Sequence, residues 1–349
     1  MNSVRSSTVR LLTASFALAL PLALSSCGSD EGSSTSAGTP PPSEGGCPTT
    51  PVDVVVSVDQ WGDIVSQVGG ACADVTTVLA SSSVDPHDFE PTPADAAMFD
   101  GAQLVVINGG HYDEWAAKLA ASSAPDAPVI NAVELSGHEG EEGHSHEGEE
   151  GHSHEGEEGH SHEGEAGHDH AGEPNPHVWY NPMVVNEVAE AVTAHLKELA
   201  PDAADYLDER HGEFENVMKP YNDAIATIRS GAQGKTYAAT ESVFDDMASA
   251  LGMQNRTPEG YQAASANEAE PSPADLDAFL RLLGDRGVDV LIYNTQTEGS
   301  VPEQIRAAAE QAGVPVVEVT ETVPPNTESF QTWQVGQLDA LAEALGVPA

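Results

Sequence analysis

Short apolar segments alternate with amphipathic stretches in two separate blocks of the sequence, and this alternation constrains the fold more than any other feature. The first block opens with Val52–Val58, a β-branched run suited to a buried parallel strand. The second block begins near Tyr237, after a long helical middle. Repeated strand–helix units are typical of doubly wound α/β domains. We therefore expect two α/β lobes joined by long helix, with a ligand in the crevice beyond the strand ends.

The same patterns predict the individual elements. In the first block we expect strands at Val52–Val58, Val75–Leu79, Leu104–Ile107 and Pro128–Ile130, and helices at Gln60–Val68 and Pro93–Asp100. The middle is predicted to be helical over Met183–Leu199 and over Asp205–Arg229, with an interruption near Pro220. In the second block we expect strands at Tyr237–Thr240, Val288–Tyr293 and Val314–Val319, and helices at Val243–Leu251, Pro273–Leu283, Pro302–Ala312 and Phe330–Leu345. The expected domains are a signal peptide (1–26), a tether (27–50), a first lobe (51–182), linking helices (183–230) and a second lobe (231–349).

The amino terminus predicts the cellular compartment. Arg5 and Arg10 precede an uncharged apolar run, Leu11–Leu24, which is short for a membrane span and typical of a secretory signal. The run ends in the tetrapeptide Leu-Ser-Ser-Cys, which resembles a bacterial lipobox. We therefore predict that Cys27 carries lipid and holds the protein at the outer face of the cell membrane. An ordinary signal peptide with an incidental cysteine is the alternative.

The two remaining cysteines, Cys47 and Cys72, would then lie in an oxidising compartment. A disulfide between them would link the tether to the first strand–helix unit. Two free thiols are the alternative, because sequence spacing does not establish that the Cβ atoms approach.

Charge is strongly uneven along this chain of 349 residues, with 57 acidic and 12 basic side chains and a formal net charge of −45. Such a polyanion repels nucleic acid and attracts cations. Nine of the 14 histidines lie in a glycine- and glutamate-rich repeat over 138–170, which we predict to be disordered and to bind zinc loosely. A solvating acidic spacer is the alternative. These accessory histidines are His138, His144, His146, His152, His154, His160, His162, His168 and His170.

Four other segments each present a side chain suited to a metal ion. His87 and His177 each lie in a short loop between prolines, which lowers the cost of ordering the loop. Glu241 and Glu321 each follow a predicted strand of the second lobe. Two imidazoles from one lobe and two carboxylates from the other would let one divalent ion hold the lobes together.

The order of these segments resembles the zinc/manganese substrate-binding lipoproteins of ABC transporters. The shared motifs are DPHDFEPTP, a histidine-rich insert, NPHVWYNP, EAEPSPADL and a strand-terminal acid, over about 52–345. The resemblance implies two Rossmann-like (β/α) lobes joined by a long rigid helix, with a metal ion bound between them by His87, His177, Glu241 and Glu321. It also implies a monomer that delivers the ion to a membrane permease driven by a cytoplasmic ATPase, with no enzymatic activity and no organic cofactor.

Two positions depart from the family pattern. The third ligand position is often His in zinc members and Glu in manganese members, and here it is Glu241. The fourth is usually Asp, whereas Glu321 is one methylene longer. The oxygen-rich ligand set would suit manganese as well as zinc, but the imidazoles of the repeat favour zinc, which we take as the expected cargo.

Other readings of the same residues remain open. Glu241 could interact with a helix dipole, and Glu318 or Glu298 could replace Glu321. Asn294 and Gln296 could point into the cleft or shape a turn. We expect His111, His195 and His211 on the surface and Trp179 and Phe244 packed behind the site. A surface zinc hydrolase is disfavoured because the repeat lacks the His-Glu-x-x-His motif, and an adhesin or metal buffer without a transporter is a third possibility.

Overall fold

Two four-stranded parallel sheets form the framework of the protein, one on each side of the helical middle. The computed structural model describes residues 46–80, 89–137, 174–267, 269–297, 299–325 and 327–349. The first lobe contains β1 (Val52–Val58), α1 (Asp59–Gly69), β2 (Ala73–Leu79), α2 (Pro93–Met98), β3 (Leu104–Ile107), α3 (Glu114–Ser123), β4 (Val129–Asn131) and α4 (Ala132–Ser136). The middle contains α5 (Pro182–Leu199), α6 (Ala204–Val217) and α7 (Lys219–Ala232). The second lobe contains β5 (Thr236–Ala239), α8 (Asp245–Ala250), β6 (Gln254–Asn255), α9 (Glu259–Ala266), α10 (Pro273–Gly284), β7 (Val290–Asn294), α11 (Ser300–Ala312), β8 (Val316–Val319) and α12 (Phe330–Leu345).

The two sheets share one topology, which confirms the predicted α/β fold with two lobes. The strand orders are β2-β1-β3-β4 and β6-β5-β7-β8, and all paired strands run parallel. In each sheet the chain order reverses between the two central strands, β1 and β3 in one and β5 and β7 in the other. Side chains that follow the carboxyl ends of these strands therefore border a crevice suited to a ligand.

The core continues from one lobe into the other. Every residue of β1 except Asp53 is buried, as its β-branched sequence predicts. Along β7, Val290 and Ile292 join the same apolar core as β1, whereas Leu291 faces a second cluster formed with α10 and α11. Alternate side chains of the second sheet thus pack on helices at both faces, as expected for a parallel sheet.

The helical middle connects the lobes and packs on both of them. The Asn181 side chain accepts the Met183 N–H at 3.0 Å and caps α5, which begins at Pro182. α6 and α7 are separated only at Met218, because Pro220 lacks the N–H that a continuous helix requires. α7 packs on α12, and α1 packs on α5 and α6. In the described ranges we find no helix with both the length and the apolar character needed to cross a membrane.

A disulfide joins Cys47 to Cys72, with 4.8 Å between the Cα atoms. Cys72 is buried in a 3₁₀ turn, Gly70–Cys72, at the amino end of β2. The bond ties the segment before β1 to the edge of the first sheet. It lies at the end of the sheet opposite to the carboxyl ends of the strands.

Candidate metal site

Two glutamates of the second lobe meet at the carboxyl edge of its sheet. Glu241 follows β5 in an extended conformation and precedes a 3₁₀ turn, Ser242–Phe244. Glu321 follows β8. Their side chains are only 18% and 5% exposed. Because parallel strands end at one edge of a sheet, residues far apart in sequence bring two carboxylates into one half-buried space.

His177 faces these carboxylates from a loop that is held in place by its own neighbours. The side-chain Oδ1 of Asn175 accepts the His177 backbone N–H at 3.2 Å and lies 2.8 Å from its Nδ1. The Asn175 Nδ2 donates to the Ser242 carbonyl at 3.0 Å, which fixes the amide orientation and connects this loop to the second lobe. Nδ1 of His177 therefore carries the proton, and Nε2 has the lone pair that a metal ligand requires.

One donor atom from each of these three side chains lies in the same small space. The Nε2 of His177 lies 4.0 Å from Glu241 Oε1 and 3.9 Å from Glu321 Oε2, distances that exceed a hydrogen bond. All three lie within 4.8 Å of one another, and in the part of the chain that the structure describes they form the one such group of His, Cys, Asp or Glu. With bonds of roughly 2 Å to a tetrahedral ion, two ligand atoms lie about 3.3 Å apart, so the three side chains would move inward by up to roughly 1 Å to share an ion.

Asn294 connects the two carboxylates. It is the last residue of β7 and is only 1% exposed. Its Nδ2 donates to Glu241 Oε2 at 2.8 Å and to Glu321 Oε1 at 2.6 Å. Two negative groups are thus held side by side by charge-assisted hydrogen bonds. The sequence left open whether Asn294 points into the cleft or shapes a turn, and the structure shows both. Its Nδ2 faces the two acids, and its Oδ1 accepts the backbone N–H of Gln296, two residues on, at 3.0 Å.

The backbone around Glu321 is held from both lobes. The Gln296 Oε1 accepts the N–H groups of Glu321 and Thr322 at 2.7 and 3.1 Å. From α1 of the first lobe, the Gln60 Nε2 donates to the Glu321 carbonyl at 2.7 Å and to the Tyr112 hydroxyl at 3.0 Å. Gln60 and Tyr112 were not recognised as site residues in the sequence. The position of Gln60 after the first strand of a doubly wound sheet is the signal that could have indicated it.

Two carboxylates on α1 bind the segment that follows Glu321. Asp59 accepts the Val323 N–H at 3.4 Å, and burial raises its pKa to about 6. Asp63 accepts the Phe330 N–H at 2.7 Å, and burial likewise raises its pKa. Both shifts arise because the charged carboxylate loses water when it is enclosed between the lobes. α1 thus holds the beginning of α12 as well as the loop before it.

Two aromatic rings pack on the imidazole of His177. The ring of Trp179 is 5.3 Å from the imidazole and that of Tyr112 is 6.0 Å away, both edge to face. Phe244 packs on Tyr180 at 5.3 Å. Trp179, Phe244 and Tyr180 are fully buried, so the polar donors lie against an apolar wall that strengthens their electrostatic interactions.

The other candidates from the sequence lie elsewhere. Glu318, the alternative to Glu321, is half exposed and forms an ion pair with Arg306 at 2.6 Å. His111, His195 and His211 each lie beside a glutamate three or four positions further along the chain, and their side chains are 46%, 35% and 26% exposed. His87, Glu298, Cys27 and the nine histidines of the repeat fall outside the described residues.

Comparison with known proteins gives a consistent match. A family model described as ZnuA, the periplasmic component A of zinc-uptake complexes, matches residues 54–344. The high-affinity zinc uptake system protein ZnuA of Bacillus subtilis is 26% identical over 271 residues, which cover 77% of this chain and 77% of that protein.

Solved structures match the fold. The periplasmic zinc-binding protein TroA of Treponema pallidum has a TM-score of 0.63 at 17% identity and covers 84% of this chain and 99% of its own. The substrate-binding protein FpvC of Pseudomonas aeruginosa, solved with Mn²⁺, has a TM-score of 0.63 at 18% identity, with 85% and 99% covered. At these identities the likeness concerns the fold alone.

Proposed function

Since the chain belongs to the ZnuA family of periplasmic zinc-uptake components, we propose that it captures a divalent metal ion, zinc in the first place, and delivers it to an ABC importer. Its partners would be a membrane permease and the cytoplasmic ATPase that drives it. The family assignment confirms the resemblance seen in the sequence motifs. A transport component of this kind binds its cargo and does no chemistry on it.

One observation carries the proposal: His177, Glu241 and Glu321 come from distant parts of the chain, yet their donor atoms lie within 4.8 Å of one another. One neutral imidazole and two carboxylates together suit a divalent ion of borderline softness. The ion would offset the two negative charges that the Asn294 amide bridges. We propose His87 as a further ligand on the strength of its motif, DPHDFEPTP.

Capture requires the side chains to replace the water around the ion. The Asn175 side chain holds His177 with its Nε2 toward the carboxylates, so little order remains to be imposed when the ion arrives. Gln60 and Gln296 hold the backbone of Glu321 in the same way. The buried aromatic wall excludes competing water from one side of the imidazole.

Manganese is the second candidate for the cargo. Two carboxylates against one imidazole form an oxygen-rich set, which Mn²⁺ tolerates well, and the structural neighbour FpvC was solved with Mn²⁺. Elemental analysis of protein purified without added metal, followed by competition between zinc and manganese, separates the two candidates. A protein that takes up manganese in preference to zinc would reverse the assignment.

The location and the accessory histidines belong to the same proposal. The periplasmic description of the family supports a place outside the cytoplasm. Lipid on Cys27 would keep the protein at the membrane beside its permease. The nine histidines of the repeat would gather zinc for the cleft, and calorimetry on a protein lacking 138–170 tests this role. Unchanged zinc stoichiometry there would exclude it.

The central test compares the loss of one proposed ligand with the loss of a histidine outside the site. Loss of a residue that hydrogen-bonds to a metal ligand typically weakens metal binding by about 10–100-fold. Because His177 is itself a proposed ligand, we expect His177→Ala to weaken zinc binding by more than about 100-fold. His195→Ala is the matched control and should bind as the wild type does, because His195 lies on α5 beside Glu198 and is not part of the proposed site. Isothermal titration against a competing chelator measures both. Equal affinity of His177→Ala and wild type would refute the proposed site.

A further inference from the structure

The amide of Asn294 is oriented by a contact that is independent of the carboxylates. Its Oδ1 accepts the backbone N–H of Gln296 at 3.0 Å, so the NH₂ group must face the other way. Its own backbone N–H donates to the Thr240 hydroxyl at 3.1 Å. The side chain is buried at the end of β7 and has one orientation, in which its two N–H groups point at two different acids.

The hydrogen bonds divide the oxygens of each carboxylate into two kinds. Asn294 binds Oε2 of Glu241 and Oε1 of Glu321. The oxygens nearest to the Nε2 of His177 are the opposite ones, Oε1 of Glu241 and Oε2 of Glu321. Thr297 reinforces the division, since its hydroxyl donates to the same Oε2 of Glu241 at 2.5 Å. Each acid therefore turns one oxygen toward the imidazole and keeps the other engaged with the protein.

Building on the proposed function, we infer that Asn294 is a positioning residue that selects zinc over manganese by limiting each glutamate to one ligating oxygen. Zinc in proteins takes about four ligands, so single oxygens from Glu241 and Glu321 suit it. Harder ions such as Mn²⁺ prefer more oxygen ligands, and a carboxylate supplies a second one only by turning both oxygens to the ion. Here that rotation would break a charge-assisted hydrogen bond in a buried site.

This arrangement accounts for an otherwise ambiguous ligand set. A glutamate at position 241 and a glutamate at position 321 offer up to four oxygens, which would make an oxygen-rich site. Asn294 holds one oxygen of each acid, and Thr297 holds the same oxygen of Glu241. The described residues therefore offer the ion one nitrogen and two oxygens. Selectivity for zinc over manganese then depends on Asn294, the hydrogen-bond partner of the glutamates, as well as on the glutamates themselves.

The decisive experiment measures the ratio of zinc to manganese affinity in the wild type and in Asn294→Ala. We expect this ratio to fall by roughly tenfold, the change that corresponds to one hydrogen bond to a charged group, with manganese binding strengthened relative to zinc. Asn186→Ala, which removes an exposed amide on α5 that donates to the Pro182 carbonyl, is the matched control and should leave the ratio unchanged. Thermal unfolding of the metal-free proteins establishes that each variant folds.

Cobalt(II) supplies a readout of ligand number that does not depend on affinity. We expect the wild type to give the intense visible absorption of a four-coordinate ion, and Asn294→Ala to give weaker bands because both oxygens of a carboxylate can then bind. A folded variant with an unchanged spectrum and an unchanged ratio overturns the inference. Equal weakening of zinc and manganese binding also overturns it, because that result indicates a structural role alone.

Thr297→Val is a second variant, in case Asn294→Ala does not fold. Thr297 is partly exposed and valine has its shape, so only the bond to Glu241 is lost. The ratio should fall in the same direction by a smaller factor, and an unchanged ratio overturns the inference. Failure of the proposed function looks different: the wild type itself would bind neither ion stoichiometrically, or His177→Ala would bind as the wild type does.

Discussion

The side chain of Gln60 donates a hydrogen bond of 2.7 Å to the backbone carbonyl of Glu321, across the boundary between the lobes. Gln60 is in α1, directly after the first strand of the first sheet, and Glu321 follows the last strand of the second. The same amide also donates to the hydroxyl of Tyr112, and the ring of Tyr112 lies 6.0 Å from that of His177. The position of a candidate ligand from one lobe is therefore set in part by the other lobe.

We expect Gln60→Ala to weaken zinc binding by about three- to tenfold, the worth of one buried hydrogen bond that positions a ligand. Gln67→Ala is the control, because Gln67 also reaches the second lobe, at Gln331, but is not bonded to the backbone of Glu321. Chelator competition at constant pH measures both affinities. Equal losses in the two variants would show that zinc affinity depends on contact between the lobes in general and not on the hydrogen bond to Glu321.

A pair of glycines tests the packing of the loop after β3, where the Asn108 side chain donates to the Pro176 carbonyl, next to His177, at 2.8 Å. Gly109 and Gly101 both have φ of +84°, but a Cβ on Gly109 would lie 2.0 Å from Asn131 Oδ1, whereas nothing lies within 4 Å of one on Gly101. We expect Gly101→Ala to lower the free energy of unfolding by about 1–2 kcal/mol through backbone strain, and Gly109→Ala by a further 1–3 kcal/mol through the clash. Urea unfolding measures both, and equal losses would contradict the packing around Asn131.

Much of the fold could be predicted because local patterns determine it. The β-branched run Val52–Val58 and the closing helix Phe330–Leu345 have the predicted bounds. Pro220 interrupts the helical middle as its missing N–H requires. By contrast, α3 was not predicted, because its alanine-rich sequence buries only Trp115, Ala116 and Ala120 and so lacks a broad apolar stripe.

The candidate site was less accessible from the sequence. Glu241 and Glu321 could be located at strand ends, where parallel topology gathers polar side chains. That Asn294 contacts both acids, and that Gln60 reaches a carbonyl 261 positions away, depends on the angle at which the lobes pack. No spacing in the chain encodes such distances.

The disulfide should stabilise the fold without affecting the cleft. The two cysteines are separated by 25 residues, and for a loop of that size the loss of the bond costs about 3.5 kcal/mol in the chain-entropy model. We expect the double variant Cys47→Ala/Cys72→Ala to lose about this much stability, measured by urea unfolding of metal-free protein. Its zinc affinity should be unchanged, because the disulfide lies at the amino end of β2. Reductant should lower the stability of the wild type to that of the variant and should not lower the variant further.

A buried acid near the site should make stability depend on pH. Asp245, at the start of α8, accepts the Tyr237 hydroxyl at 2.7 Å, and burial raises its pKa from 3.8 to about 6. The folded protein therefore holds this proton more tightly than the unfolded chain does. The free energy of unfolding should fall as pH rises from about 4 to about 6, because the folded protein must then bury an ionised carboxylate that is well hydrated in the unfolded chain.

Asn at position 245 keeps the acceptor for Tyr237 but carries no charge. We expect Asp245→Asn to raise the free energy of unfolding by about 1–2 kcal/mol at pH 7, less than the full pKa shift would give because the side chain keeps some exposure. At pH 4, where the wild-type acid is largely protonated in the folded protein, the gain should disappear. Asp74→Asn, on an exposed position of β2, is the control and should change stability little at either pH. Urea unfolding of metal-free protein at the two pH values measures the difference, and a gain of equal size at both would show that burial of charge is not its cause.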